Sequence, residues 1–108
     1  MGYSATGVPS RAPRFNLSTR VVLHLPEGNF KGHSINVSQS GMLATFDRAL
    51  DVWLDGRLFA LVGEDFLGIN VRVARVDGRL AGLTFQVAGE SDRIMIQKLL
   101  ERADRTPI

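Results

Sequence analysis

The sequence predicts a mainly β fold, in which a small six-stranded antiparallel barrel is followed by one C-terminal α-helix. Two observations carry this prediction. Short segments with strand character recur at intervals of roughly 8–12 residues, as in small sandwiches and barrels. The last segment then changes from a two-residue to a helical period. The chain of 108 residues has about the length of one domain.

Alternation of apolar and polar residues defines the six predicted strands. The first begins at Thr19 and places Val21, Leu23 and Leu25 on one face. The other five are predicted over residues 30–37, 42–46, 57–62, 67–76 and 80–87. Turn-forming residues separate them, and Asp77-Gly78 between two apolar runs is the strongest hairpin signal in the chain.

The connection over residues 47–56 contains the large apolar residues Leu50, Val52, Trp53 and Leu54, which we expect to anchor it. Trp53 is the only tryptophan. Because a tryptophan ring is large and mostly apolar, we expect it in the core or as a cap on the barrel. A contact with a partner protein is the alternative.

The final segment predicts a helix that runs to about Ala103 and covers an open end or edge of the barrel. Ser91 is the expected N-cap, and Asp92 suits the first turn of a helix. Ile96, Leu99 and Ala103 follow at helical spacing. We therefore divide the chain into a flexible arm with a basic end (residues 1–13), a barrel with its helix (14–104) and a short tail (105–108).

Composition excludes several classes of function. The 13 Lys and Arg exceed the 11 Asp and Glu by only +2, which is small for a general DNA- or RNA-binding protein. The absence of cysteine removes thiol catalysis and cysteine-based zinc sites, and two histidines are too few for a His-rich metal site. No catalytic motif is present. We expect no enzymatic activity, no metal and no cofactor.

Hydropathy gives no indication of a membrane segment. No run of residues approaches the ~20 apolar positions that a membrane-spanning helix needs, and the N-terminus lacks a signal-peptide pattern. The sequence therefore predicts a cytoplasmic protein that does not insert directly into the membrane.

Arginine supplies eleven of the thirteen basic residues. A GC-rich genome would explain this excess as well as a function would. Arg11 and Arg14 nevertheless lie together at the end of the arm, and a guanidinium group binds phosphate or a guanine edge through two hydrogen bonds. The arm is therefore either a solvated terminus or a tether that folds over an anionic ligand.

The segment from Asn36 to Gly41 interrupts two strands and contains Ser38 and Ser40. Asparagine, serine and glycine all favour turns, so composition alone favours an ordinary connection between strands. The same residues would also suit a ligand loop, since they offer hydroxyl and amide groups and a close approach to the backbone.

Taken together, these motifs resemble the PilZ domain family. Arg14-Phe15, a strand, and Asn36-x-Ser38-x-x-Gly41 followed by Met42 carry the resemblance, and Val73-Ala74-Arg75-Val76 and Gly82-Leu83-Thr84-Phe85 are similar to the end of that domain. The resemblance covers residues 11–103 or so. It implies a six-stranded barrel and a bacterial receptor for cyclic di-GMP. In the family, an Arg-x-x-x-Arg arm and an Asn/Asp-x-Ser-x-x-Gly loop clamp the dinucleotide.

The resemblance assigns ligand-binding roles to individual residues. Ser10 stands where the family has its first arginine, and Arg11 lies one position later. We expect cyclic di-GMP as the ligand, together with a protein partner or neighbouring domain, and no nucleic-acid polymer. An adaptor that binds a protein without nucleotide is the alternative. The candidate ligand-binding residues are Arg11, Arg14, Asn36, Ser38, Ser40, Gly41 and Arg75.

Overall fold

The computed structural model describes residues 12–106 and 108, and this part of the chain contains seven β-strands and one α-helix. In chain order the elements are β1 (Phe15–Asn16), β2 (Arg20–Leu25), β3 (Gly28–Val37), β4 (Gly41–Phe46), β5 (Asp55–Val62), β6 (Asp65–Asp77), β7 (Leu80–Phe85) and α1 (Glu90–Arg102).

Six of the strands close into an antiparallel barrel. Neighbouring strands follow the order β1-β3-β2-β5-β6-β7-β4, and β4 returns to pair with β3. Every pairing is antiparallel. Strands β2 to β7 are the six that the sequence predicts, so the predicted fold class is confirmed. Strand β1 was missed, because its two residues are too few to show an alternating pattern.

The inward-facing residues of the strands form one core with three residues of the helix. Val21, Leu23 and Leu25 are all at most 1% exposed, as their alternation predicts. Met95, Ile96 and Leu99 of α1 join the same core. The helix packs against β5 and β6, and Leu99 lines a small cavity with Leu17 and Leu61. The buried apolar stripe of α1 therefore covers this part of the barrel.

The expectation that Trp53 lies in the core or caps the barrel is wrong, since 68% of its surface is exposed. Its φ angle is +66°, in the left-handed region that large residues rarely adopt. In this conformation the Trp53 N–H donates to the Val73 carbonyl at 2.6 Å, and the Val73 N–H donates to the Leu54 carbonyl at 2.8 Å. Backbone pairing with β6 therefore turns the indole outwards, and the buried anchor of this connection is Leu50.

The helix begins two residues before the position that the sequence indicates. Its N-cap is Gly89 rather than Ser91, which lies inside the first turn. The carboxylate of Asp92 accepts hydrogen bonds from the backbone N–H groups of Ala88 (2.8 Å) and Gly89 (3.3 Å). Because this carboxylate satisfies backbone donors at the N-terminus, the helix can begin without a hydroxyl at the cap.

An exposed ion pair joins β5 to β6 where β5 begins. Arg72 donates to both carboxylate oxygens of Asp55, at 2.8 and 3.2 Å, and Gln86 donates to one of them at 3.3 Å. The hydrogen bonds from Arg72 hold the pKa of Asp55 below its ordinary value of 3.8. The charged pair therefore stabilises the fold above the unfolded-state pKa, and this contribution is lost as the pH falls through the folded-state pKa.

We expect the Tm of the wild-type protein to fall more steeply below about pH 4 than the Tm of Asp55→Asn, which lacks this titration. Circular dichroism melts at successive pH values measure the difference. The difference should be small at high salt, since the pair is exposed. Asp51→Asn is the matched control, because Asp51 is exposed and forms no ion pair with any described residue. Parallel curves for wild type and Asp55→Asn would contradict the prediction.

Candidate functional site

Strand β3 contains a bulge that sets the orientation of Asn36. Ser34 and Val37 are both buried although they are three residues apart, and the pairing with β4 shifts between Ser34 and Asn36. A bulge inserts one extra residue and changes the direction of the following side chains. Here it leaves Asn36 only half-buried, next to the chain segment that carries Arg14.

The buried hydroxyl of Ser34 fixes β1 beside this bulge. It donates to the Leu17 carbonyl and accepts from the Thr19 N–H at 2.9 Å, and the Ser34 N–H donates to the Thr19 carbonyl at 2.9 Å. These bonds satisfy backbone groups at the break between β1 and β2, where regular pairing stops. The sequence does not predict this role, because in it Ser34 is only a polar residue within the predicted strand over residues 30–37.

Arg14 and Asn36 are in direct contact. Strand β1 pairs with β3 through Phe15 opposite Val37 and Asn16 opposite Asn36, so Arg14 lies beside the start of the loop. Its Nη1 donates to the Asn36 Oδ1 at 2.6 Å. A carbonyl oxygen has two lone pairs, so Asn36 keeps one acceptor position and both amide hydrogens for other partners. Two distant parts of the sequence thus form one polar pair.

Ser38 holds the connection between β3 and β4. The residue is only 1% exposed. Its hydroxyl oxygen accepts from the Ser40 N–H at 3.2 Å and lies 3.1 Å from the Ser40 hydroxyl. The Ser38 N–H donates to the Gly41 carbonyl at 2.9 Å. These contacts fit a role in fixing the loop, whereas the Ser40 side chain is exposed.

Gly41 is required by the barrel itself. A Cβ at this position would overlap the carbonyl oxygen of Leu83 on β7. At Gly41 the backbone of β4 therefore lies closer to β7 than a residue with a side chain would permit. Since the space beside Gly41 is filled by protein backbone, its lack of a side chain is explained without a ligand.

Arg75 lies at the far end of a row of residues that begins at Asn36. Asn36 is paired with Leu43, Leu43 with Gly82, and Gly82 with Arg75. Arg75 follows a second register shift, between Val73 and Arg75. Its side chain extends over Gly82, where an added Cβ would be 3.6 Å from the Arg75 Nε. Leu43, Gly82 and Arg75 line a shallow cavity of about 230 Å³.

We call these four paired residues together with Arg14 the polar row (Arg14, Asn36, Leu43, Gly82, Arg75), because polar or charged side chains lie at both of its ends. The row extends over three interstrand spacings from Asn36 to Arg75, which is about 14 Å along the sheet. Among the predicted site residues, Arg14, Asn36, Ser38, Ser40 and Gly41 come together around the loop, and Arg75 stands across the row. Arg11 and Ser10 lie outside the described residues. Sequence reasoning missed Leu43 and Gly82, which become neighbours only through strand pairing.

Within residues 12–106 and 108, no three His, Cys, Asp or Glu side chains are grouped so that they could hold a metal ion. In the same part of the chain, no helix has the length and apolar character needed to cross a membrane.

The fold and this face define a class of protein: a small closed barrel with a polar loop and an arginine-bearing N-terminal segment on its surface. The sequence model of the PilZ domain matches residues 10–102. The chain therefore belongs to the PilZ domain family, as its motifs indicate. Members of this family are generally receptors for cyclic di-GMP or adaptors rather than enzymes.

Solved structures with the same fold include PilZ domains. The crystal structure of the PilZ domain of CeSA from a cellulose-synthesizing bacterium has a TM-score of 0.71 at 12% identity, covering 82% of this chain and 94% of that one. The Bacillus subtilis inhibitor of motility, MotI/DgrA, has a TM-score of 0.67 at 17% identity, covering 88% of this chain and 51% of that one. No curated protein sequence matches the chain. At these identities the likeness concerns the fold alone.

The packing at Gly41 predicts that Gly41→Ala destabilises the protein with or without ligand. Because the methyl group would meet the backbone of β7, we expect the free energy of unfolding to fall by about 1–3 kcal/mol. Urea unfolding measures the change. Gly89→Ser is the control, since an added Cβ there meets nothing within 4 Å. Its unfolding free energy should stay within about 0.5 kcal/mol of wild type or rise slightly, because serine is a good N-cap. A Gly41→Ala variant as stable as wild type would refute the packing argument.

Proposed function

We propose that the chain is a cyclic di-GMP receptor module that transmits the level of this nucleotide to a partner protein or a neighbouring domain. The observation that carries the proposal is the hydrogen bond of 2.6 Å between Arg14 and Asn36. It joins the arginine segment to the polar loop, the two elements that clamp the dinucleotide in PilZ receptors. A cytoplasmic location follows from the proposal, since a second messenger of this kind acts inside the bacterial cell.

The chemistry of the ligand fits the two ends of the polar row. Cyclic di-GMP carries two phosphates and two guanines. Arg14 would engage a phosphate and the O6 and N7 edge of a guanine, as guanidinium groups commonly do. Asn36 would use its remaining acceptor position and its amide hydrogens on the Watson–Crick edge of a guanine.

Arg75, together with Leu43 and Gly82, would bind the part of the dinucleotide that lies farther from Arg14. Leu43 and Gly82 present little polar side-chain surface between the two charged ends, which suits the flat face of a base. The planar guanidinium group of Arg75 would then stack on the purine ring of that base. Ser38, with Gly41, would act by holding the loop in shape, and Ser40 would turn its exposed hydroxyl towards the ligand.

The output of binding would be a change in the segment that carries Arg14. The carbonyl of Arg14 accepts from the Ile108 N–H at 2.9 Å, and the carbonyl of Asn16 accepts from the Asp104 N–H at 2.8 Å. A ligand that draws Arg14 towards itself would therefore also disturb the residues that follow α1. The similar structure of an inhibitor of motility supports a protein partner as the recipient of such a change.

The alternative function is a PilZ adaptor that binds a protein without nucleotide. Ser10 favours it, because the family's first arginine is replaced there. One lost charge-assisted hydrogen bond costs about 1.5–3 kcal/mol, or roughly ten- to a hundredfold in affinity. A receptor that binds more weakly than its relatives is therefore compatible with this replacement, and so is a domain that has lost the ligand.

Titration calorimetry with cyclic di-GMP distinguishes the two functions. We expect wild type to bind, and Arg14→Ala, Asn36→Ala and Arg75→Ala each to bind roughly ten- to a hundredfold more weakly. Arg57→Ala and Asn70→Ala are matched controls, because Arg57 donates to the Asn70 Oδ1 at 3.0 Å on β5 and β6, outside the polar row. The controls should stay within about twofold of wild type.

Absence of heat from wild type at tens of micromolar protein would exclude the receptor function and leave the adaptor. Binding that is unaffected by Arg14→Ala would exclude the proposed clamp while keeping a receptor. Equal losses in the Arg57 and Arg14 variants would show that binding depends on general charge rather than on the polar row.

The arm gives a separate prediction. Ser10→Arg restores the Arg-x-x-x-Arg spacing with Arg14, so we expect about tenfold tighter binding of cyclic di-GMP. The same titration measures it. Ser10→Lys is the control, since it adds the charge without the planar fork and should gain less. Unchanged affinity in Ser10→Arg would show that Arg11 already supplies the contact.

A further inference from the structure

A basic groove crosses the outside of the barrel away from the polar row. This open cavity of about 630 Å³ lies over β2, β3 and the end of β4, and extends to the hairpin residues Phe66 and Arg79. The side chains that bear a positive charge or an imidazole in its lining are Arg20, Lys31, His33 and Arg79. None of the residues in the polar row lines it, so the two surfaces are distinct.

The lining of the basic groove carries more positive than negative charge. Arg20 and Lys31 are exposed on the paired strands β2 and β3, and neither they nor Arg79 forms an ion pair with any described residue. The lining contains one acidic residue, Asp47, whose carboxylate lies 3.7 Å from the Arg48 Nε. Three like charges around one concave surface repel each other and attract an anionic partner.

Apolar surface accompanies these charges. Two apolar side chains line the basic groove: Phe66 is 47% exposed, and Val22 is half-buried. A ligand that matches both features carries carboxylates together with apolar side chains. The strands below are hydrogen-bonded to neighbours on both edges, so a peptide would be recognised through its side chains rather than by adding a strand.

We propose that the basic groove is a docking site for an acidic segment of a partner protein in which carboxylate and apolar residues alternate. A nucleic acid fits less well, because unpaired bases stack on aromatic rings and, among the described residues of the lining, Phe66 is the only exposed aromatic ring. The site requires no nucleotide, so the proposal does not rest on cyclic di-GMP binding.

Fluorescence polarisation with a short labelled peptide of alternating glutamate and leucine tests the proposal on the full chain. The groove variant combines Arg20→Gln, Lys31→Gln and Arg79→Gln. The control variant combines Arg93→Gln, Lys98→Gln and Arg105→Gln. It also removes two arginines and one lysine, but from exposed positions on α1 and the tail. Thermal melts check that both variants fold. A labelled oligouridine and a lysine–leucine peptide are the comparison probes.

We expect wild type to bind the acidic peptide, with an affinity that falls as salt rises from about 0.05 to 0.3 M. The groove variant should bind at least about tenfold more weakly, and the control variant should stay within about twofold of wild type. Amide chemical-shift changes should centre on Val22, Lys31 and Thr45. The proposal is overturned by equal affinities of the two variants, by tighter binding of oligouridine or of the lysine peptide, or by failure of wild type to bind the acidic peptide.

Discussion

Strand β3 is hydrogen-bonded along both of its edges, and the barrel and its polar face depend on this arrangement. One edge pairs with β2 over Gly28 to His33 and with β1 at Asn36 and Val37, while the other pairs with β4. A strand that is shared in this way closes the sheet and leaves no free edge on either side of β3. The bulge after Ser34 adapts β3 to its three partners, because a regular strand could not change neighbours and face within so few residues.

The same strand places the loop, the arginine segment and Arg75 on one surface. Asn36 is the point where they meet, since it pairs with Asn16 on one side and with Leu43 on the other. Backbone hydrogen bonds then link the segment of Arg14 to residues that follow α1. The polar row is thereby connected to the residues that follow α1 through the chain from Arg14 to Asn16 and the backbone hydrogen bonds of this segment. A displacement of Arg14 would reach those residues without any change in the barrel strands.

Low identity to similar structures and retention of the fold have a common explanation. The CeSA domain shares 12% identity with this chain, yet the TM-score is 0.71. A barrel of this size requires inward apolar residues on each strand, and many combinations of apolar residues satisfy this requirement. Backbone contacts are less tolerant. Gly41 and Gly32 have no space for a Cβ because neighbouring carbonyl oxygens occupy it. At these two positions the backbone of the neighbouring strand lies too close for any side chain.

The sequence by itself determined the six strands, the terminal helix and the membership of the loop residues in one motif, because alternation, turn residues and spacing are local properties. The tertiary structure alone decided which residues become neighbours. Strand β1 forms only because β3 offers it an edge, Trp53 is exposed because its backbone pairs with Val73, and Leu43 and Gly82 join the polar row through register. Local periodicity specifies which way a side chain faces, whereas register and bulges, which depend on long-range pairing, specify what it faces.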